Sequence, residues 1–235
     1  MASEVAMHFE RAHDHNQAIH YLVIAAENAG KRFAYRESID ILQHALKLLR
    51  QLDSRRLLEI ELRILELIGD TQYYLSEMAE AARTHETQAA RAAETNLKAA
   101  ELNAIEHLVM PLGFIEPDRG ISFAERAVEL SGSLNDPALL ARAQMLAAGY
   151  RCVYGTWSDE DWELWKSAHK VLRQISASPK SALSTADPNL RAFAWELQAR
   201  VAMAEQNPAG AEDALGLEAS SHFRVRDSRF LCKAG

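Results

Sequence analysis

Apolar residues between positions 5 and 49 return every three or four residues, and one phrase occurs twice: Ala18-Ile19-x-x-Leu22-x-x-Ala25, then Ser38-Ile39-x-x-Leu42-x-x-Ala45. This spacing lines up one face of a helix. It predicts a first helix over 3–12 carrying Val5, Ala6 and Phe9, interrupted by His13-Asp14-His15-Asn16. A second helix covers 17–29, with Ala18, Tyr21, Leu22, Ala25 and Ala29 on its stripe and Gly30 fitting its C-terminal end. A third covers 35–52, with Ile39, Leu42, Ala45, Leu46 and Leu49 on one face and Glu37, Asp40, Gln43, Lys47 and Arg50 on the other. Helices with one apolar stripe and short connections bury that stripe against the next helix in sequence, antiparallel.

The stretch 67–94 reads LIGDTQYYLSEMAEAARTHETQAARAAE, in which Ile68-Gly69 is followed by Ser76 and then Ala81, with Met78, Ala82, Ala89 and Ala93 keeping an apolar stripe. It resembles the tetratricopeptide repeat, a helix pair with a Leu-Gly step in the first helix, a turn Gly and an Ala in the second. The resemblance implies that Gly69 lets the second helix lie close to the first, with Ala81 facing it. Gln72, His85 and Gln88 occupy positions that the family gives to an aromatic, a large apolar residue and Ala. Gly120, Ala124 and Ala127 repeat the motif, and Asp161, Trp165 and Ala168 echo it more poorly. The anchor position therefore falls at 38, 81, 120 and 161, in steps of 43, 39 and 41 residues. A period near 40 predicts an all-α fold of antiparallel helix-pair repeats, stacked in a right-handed superhelical solenoid of ten or eleven helices without strands.

Capping residues mark further helix starts. Asp136-Pro137, Asp187-Pro188 and Asn207-Pro208 each place a capping side chain before a Pro at the first helical position. Ser158 and Asp161 form a capping-box candidate, with Trp157 and Trp162 at the staple positions of a helix running to about residue 175. In that helix Trp162, Trp165, His169, Leu172 and Ile175 follow helical spacing and read as core rather than as a peptide platform. The expected organisation is a repeat array over 1–175, a Ser/Ala/Pro-rich linker over 176–186, a further helix pair over 187–220 and an irregular tail over 221–235.

Composition narrows the function. A net charge of −7 argues against a phosphate-backbone binder, and the basic tail residues Arg224, Arg226, Arg229 and Lys233 read as a solvated end. Two distant cysteines, Cys152 and Cys232, and no secretory leader point to a cytoplasmic protein, and no apolar run reaches membrane-spanning length. His8, His13, His15 and His20 are the densest histidine cluster but lack metal-ligand spacing, and His85-Glu86 without a second His reads as helix surface. Gly30-Lys31 is followed by Arg32 where a phosphate loop needs Ser or Thr, and no nucleophile motif surrounds Cys152. No catalytic, cofactor-binding or metal residue is expected, and the chain is not expected to be an enzyme.

The opening carries a second resemblance, in Ala6-x-His8-Phe9-Glu10-x-Ala12, Ala18-Ile19-x-Tyr21-Leu22-x-x-Ala25-Ala26-Glu27-x-Ala29 and Arg32-Phe33-Ala34-Tyr35-Arg36-Glu37. Over residues 2–95 it resembles the helical-repeat region of large bacterial signal-transduction ATPases and transcriptional regulators. That resemblance implies a non-catalytic scaffold or sensor arm, a fragment of a larger protein, whose partner is an ATPase or regulator. The alternative it leaves open is an effector-sensing domain with a small-molecule pocket inside the superhelix. A first helix without an upstream neighbour would expose the stripe of Val5, Ala6 and Phe9 and favour self-association.

Overall fold

A computed structural model describes residues 2–52, 57–154 and 158–176. Nine helices follow one another there: α1 Ala2–Arg11, α2 His15–Lys31, α3 Tyr35–Leu49, α4 Leu58–Tyr74, α5 Met78–Glu94, α6 Lys98–Ile115, α7 Pro117–Gly132, α8 Pro137–Tyr154 and α9 Asp159–Ser176. The described residues contain no strand, as the apolar periodicity requires. Two compact units divide the chain, Met1–Leu172 and Arg173–Gly235, and α1 to α9 as far as Leu172 belong to the first. Trp157, the expected linker beyond Ser176, the helix pair over 187–220 with its two Pro-marked starts, and the tail lie outside the described residues.

From α1 to α8 each helix packs on its neighbours in sequence, α2, α4, α6 and α8 also touch one another in turn, and Ala168 and Leu172 of α9 cluster with Ala141 of α8. Small residues make this close stacking feasible. The fourth residue of α2, α3, α5 and α7 is Ala18, Ser38, Ala81 or Gly120, and all four are buried. Ser38 keeps its hydroxyl satisfied by donating to the carbonyl of Ala26 at 2.9 Å. Around them Ile19, Leu22, Leu42, Leu48, Leu49, Ile64 and Ile68 form the first core cluster. Ala6 is buried and Phe9 stacks on Tyr21 at 5.5 Å between ring centroids, so these two residues of the stripe pack on α2, while Val5 and Phe9 stay half-buried.

The turns repeat one conformation. His13, Phe33, Ser76 and Asn96 all take φ between 58° and 62°. In each case the next N–H reaches back to the carbonyl five residues earlier, as Ala34 does to Ala29 and Glu77 to Gln72. This 6→1 closure is how a helix ends with a left-handed residue. Ser76 thus does the work of the family's turn Gly. The expectation for Gly30 fails, because α2 continues through Lys31 and Phe33 takes the left-handed place at φ 61°. A side chain at such a φ is strained, whereas glycine is not. Ser76→Gly is therefore expected to raise stability by about 0.5 to 1 kcal/mol in urea titrations, and a loss would mean that the Ser76 side chain holds the turn.

Two predicted caps are present. Asp136 Oδ1 accepts the N–H groups of Ala138 and Leu139 at 2.8 and 3.3 Å. Ser158 and Asp161 exchange backbone-to-side-chain bonds, both at 3.2 Å. The anchor at 161 is thus an ionic lock rather than a small residue, since Asp161 also accepts from Arg151 of α8 at 2.6 Å. Burial opposes its charge, but Arg151 and Ser158 together hold the carboxyl below the usual carboxylate range.

Candidate functional site

The contacts among the even-numbered helices are stitched by polar side chains. Arg63 of α4 donates to Glu27 of α2 at 3.2 Å and to Glu66 at 2.5 Å, and Asn103 of α6 donates to Glu66 at 2.9 Å. One turn further along α4, His107 of α6 bonds Asp70 at 2.7 Å. Arg142 of α8 pairs with Glu106 of α6. Exposed members of such a ladder contribute little stability each, and their effect is to fix the register of one helix against the next.

At Asp70 the ladder turns inward. His85 of α5 is only 1% exposed, and its Nε2 lies 3.5 Å from Asp70 Oδ1. Its Nδ1 sits 3.1 Å from Gln88 Oε1, and its ring centroid is 5.5 Å from that of His107. His85 is therefore part of the core, not the helix surface expected from its sequence neighbours. Burial is the main reason its pKa falls to about 4; Asp70 opposes the fall, His107 adds to it and the Gln88 bond opposes it. The imidazole is neutral near pH 7, so its approach to Asp70 is not an ion pair.

Gly69 makes the room. A Cβ built there would lie 2.4 Å from His85 Nε2, so the missing side chain admits the imidazole. At Gly30 the nearest atom to such a Cβ is Ser38 Oγ at 4.0 Å. Gly30→Ala should then stabilise by roughly 0.5 to 1 kcal/mol through helix propensity. Gly69→Ala should lose about 1 to 2 kcal/mol, because overpacking a core costs about 1 to 3 and the propensity gain offsets part of it. Thermal melts of the two variants should move in opposite directions, and a stabilised Gly69→Ala would show that His85 can step aside.

Asp70, His85 and His107 form the one group of three potential metal ligands among the described residues. Sequence reading passed over them because they come from three successive helices. The available signal was the pair of departures at His85 and Gln88, both buried polar residues in apolar repeat positions. The histidine cluster singled out from sequence does not converge: His8, His13 and His20 are exposed. Gly30-Lys31 is helical, with no loop to cradle a phosphate. Trp165 is 2% exposed and stacks between Trp162 and His169, whereas Trp162 is only half-buried beneath Lys166.

A second feature lies where the even helices end. Phe33 meets Tyr35 edge-on, Tyr35 stacks on Tyr74 at 5.6 Å, Tyr74 meets Tyr73, and Tyr73 meets Phe114 at 6.3 Å. Five rings thus cross the α2–α3 turn and the C-terminal ends of α4 and α6. Phe33 is 78% exposed and Phe114 56%.

No protein-family model and no curated protein matches the chain. Solved structures do match. The crystal structure of BtubC (BKLC) from P. vanneervenii aligns with 94% of this chain and 87% of that one, at 17% identity and a TM-score of 0.64. A Rap protein complexed with competence and sporulation factor aligns with 87% of this chain at 12% identity and a TM-score of 0.58. A signal transduction ATPase with numerous domains from Pyrococcus horikoshii, carrying a tetratricopeptide repeat sensor, aligns with 93% at 15% identity and a TM-score of 0.52. The chain spans 54% of the Rap protein and 36% of the ATPase. At these identities the likeness is one of fold, and the fold is a tetratricopeptide-like helical solenoid. No described helix is long and apolar enough to cross a membrane.

Proposed function

We propose that this chain is a non-catalytic protein-interaction arm of a signalling or regulatory protein, and that its partner is an ATPase or regulator engaged through the aromatic row. The observation that carries this reading is Phe33. A bulky side chain at φ 61° is locally strained, and at 78% exposure it gains little from burial. Strain held at a surface aromatic is explained by a partner that covers it, since aromatic side chains dominate the energetics of protein interfaces. The fold neighbours support the same class of role: one is a signal transduction ATPase with a tetratricopeptide repeat sensor, and another was solved in complex with competence and sporulation factor.

The test uses a partner identified by photo-crosslinking from position 33 and then purified. Phe33→Gly should relieve the turn and leave folding stability unchanged or higher, while weakening binding by tenfold or more. Phe114→Ala should weaken binding without affecting the melt. Unchanged affinity in both variants would remove the aromatic row from the interface. Saturable Mg-ATP turnover by the isolated chain would overturn the non-catalytic reading.

A further inference from the structure

We infer that Asp70, His85 and His107 bind one zinc-class divalent cation, which ties together α4, α5 and α6. One carboxylate oxygen and two imidazole nitrogens already lie within 4.8 Å of one another. Tetrahedral zinc with bonds of about 2.0 to 2.1 Å keeps its ligand atoms about 3.3 Å apart. The 3.5 Å between His85 Nε2 and Asp70 Oδ1 is long for a hydrogen bond but close to that edge length. The 2.7 Å contact of His107 with Asp70 has only to open slightly.

The donor set selects the ion. Two imidazoles with one carboxylate suit zinc or cobalt, whereas calcium and magnesium prefer oxygen ligands throughout. Three protein ligands leave the fourth position to solvent, which can enter because the Asp70 side chain is 32% exposed and that of His107 11%. The surroundings are also those of a metal site. Gln88 holds Nδ1 of His85, so the other ring nitrogen is the one turned toward Asp70, the outer-sphere bond that orients most metal-ligating histidines. Gly69 keeps the imidazole from being displaced. One turn further along α6, Pro111 brings no N–H to the carbonyl of His107 four residues before it, which loosens the backbone where that ligand must adjust.

The experiment titrates tag-free, chelator-treated chain with zinc and with cobalt. One equivalent should bind, with visible cobalt bands of a four- or five-coordinate ion. His107→Ala and Asp70→Asn should each weaken zinc binding at least tenfold, and Gln88→Ala, which touches only the orienting bond, by about 10- to 100-fold. Crystals of the unmodified chain grown with equimolar zinc give a readout that needs no variant: the anomalous peak should lie between the three side chains. A peak at the surface histidines, the absence of saturable binding, or affinity unchanged in both ligand variants would overturn the assignment.

Discussion

Trp165→Ala is expected to cost about 3 to 5 kcal/mol of folding stability, the usual penalty for emptying a buried tryptophan site. Trp165 is 2% exposed on α9, one turn before Ala168 and two before Leu172, which pack against Ala141 of α8. Trp162 on the same helix is half-buried and contributes a stacked face at 5.8 Å and a cation contact with Lys166. Contacts of these kinds are worth about 1 kcal/mol, which is the loss expected for Trp162→Ala. Trp165→Phe provides a further discrimination. Among the described residues the indole N–H of Trp165 has no acceptor, and a buried donor left unpaired costs about 1 to 3 kcal/mol. Removing it offsets much of the lost volume, so Trp165→Phe should stay within about 1 kcal/mol of the parent chain. Urea unfolding followed by circular dichroism measures all three. A Trp162→Ala variant more damaged than Trp165→Ala would reverse the assignment of core and rim.

The helices were legible in the sequence because burial of one face leaves a period that survives when no partner is known. Ile39, Leu42 and Ala45 show it directly, and all three are buried. Local chemistry was legible for the same reason: the bonds of Asp136 to the start of α8, and of Ser158 to Asp161, close within three residues. What escaped was set across helices. Arg63 meets Glu27 and His107 meets Asp70 only after the chain has gone out and back. A polar residue on a helix surface carries no mark of a partner 36 or 37 positions away.

The turn at Phe33 escaped for a different reason. Propensity favours glycine at a left-handed residue and offered Gly30 three positions too early, whereas the 6→1 bond from Ala34 to Ala29 decides where the helix closes. His85 and Gln88 were visible as departures from the repeat, yet departures of residue type say nothing of what they meet across the helices. The meaning of His85 lies in the pairing with Gly69, an absent side chain on α4 opposite an oversized polar one on α5. Neither residue is informative alone. His85 and the aromatic row thus both sit at positions where the chain breaks a local rule, which is where function is expected to override local preference.

Chelator-treated protein is expected to lose about 3 kcal/mol of stability as pH falls from 6.5 to 4, through His85 alone. In the unfolded chain this histidine takes up its proton near pH 6.5, the ordinary value. In the fold its pKa is lowered to about 4, first by burial. Asp70 opposes that fall, His107 reinforces it and Gln88 opposes it. Between those two values the unfolded state holds a proton that the folded state refuses. The stabilisation is therefore complete above about pH 6.5 and is withdrawn as pH falls toward 4. His85→Gln, which retains a polar side chain without a titrating ring, should remove this share of the pH dependence even if it lowers stability at pH 7. Denaturant titrations at half-unit intervals give the slope for both proteins, and the His85 ring proton followed by nuclear magnetic resonance gives the folded pKa directly. Parallel slopes, or a His85 titration near 6.5 in the folded chain, would show that the fold takes up the proton as readily as the unfolded chain and that burial does not hold the imidazole neutral.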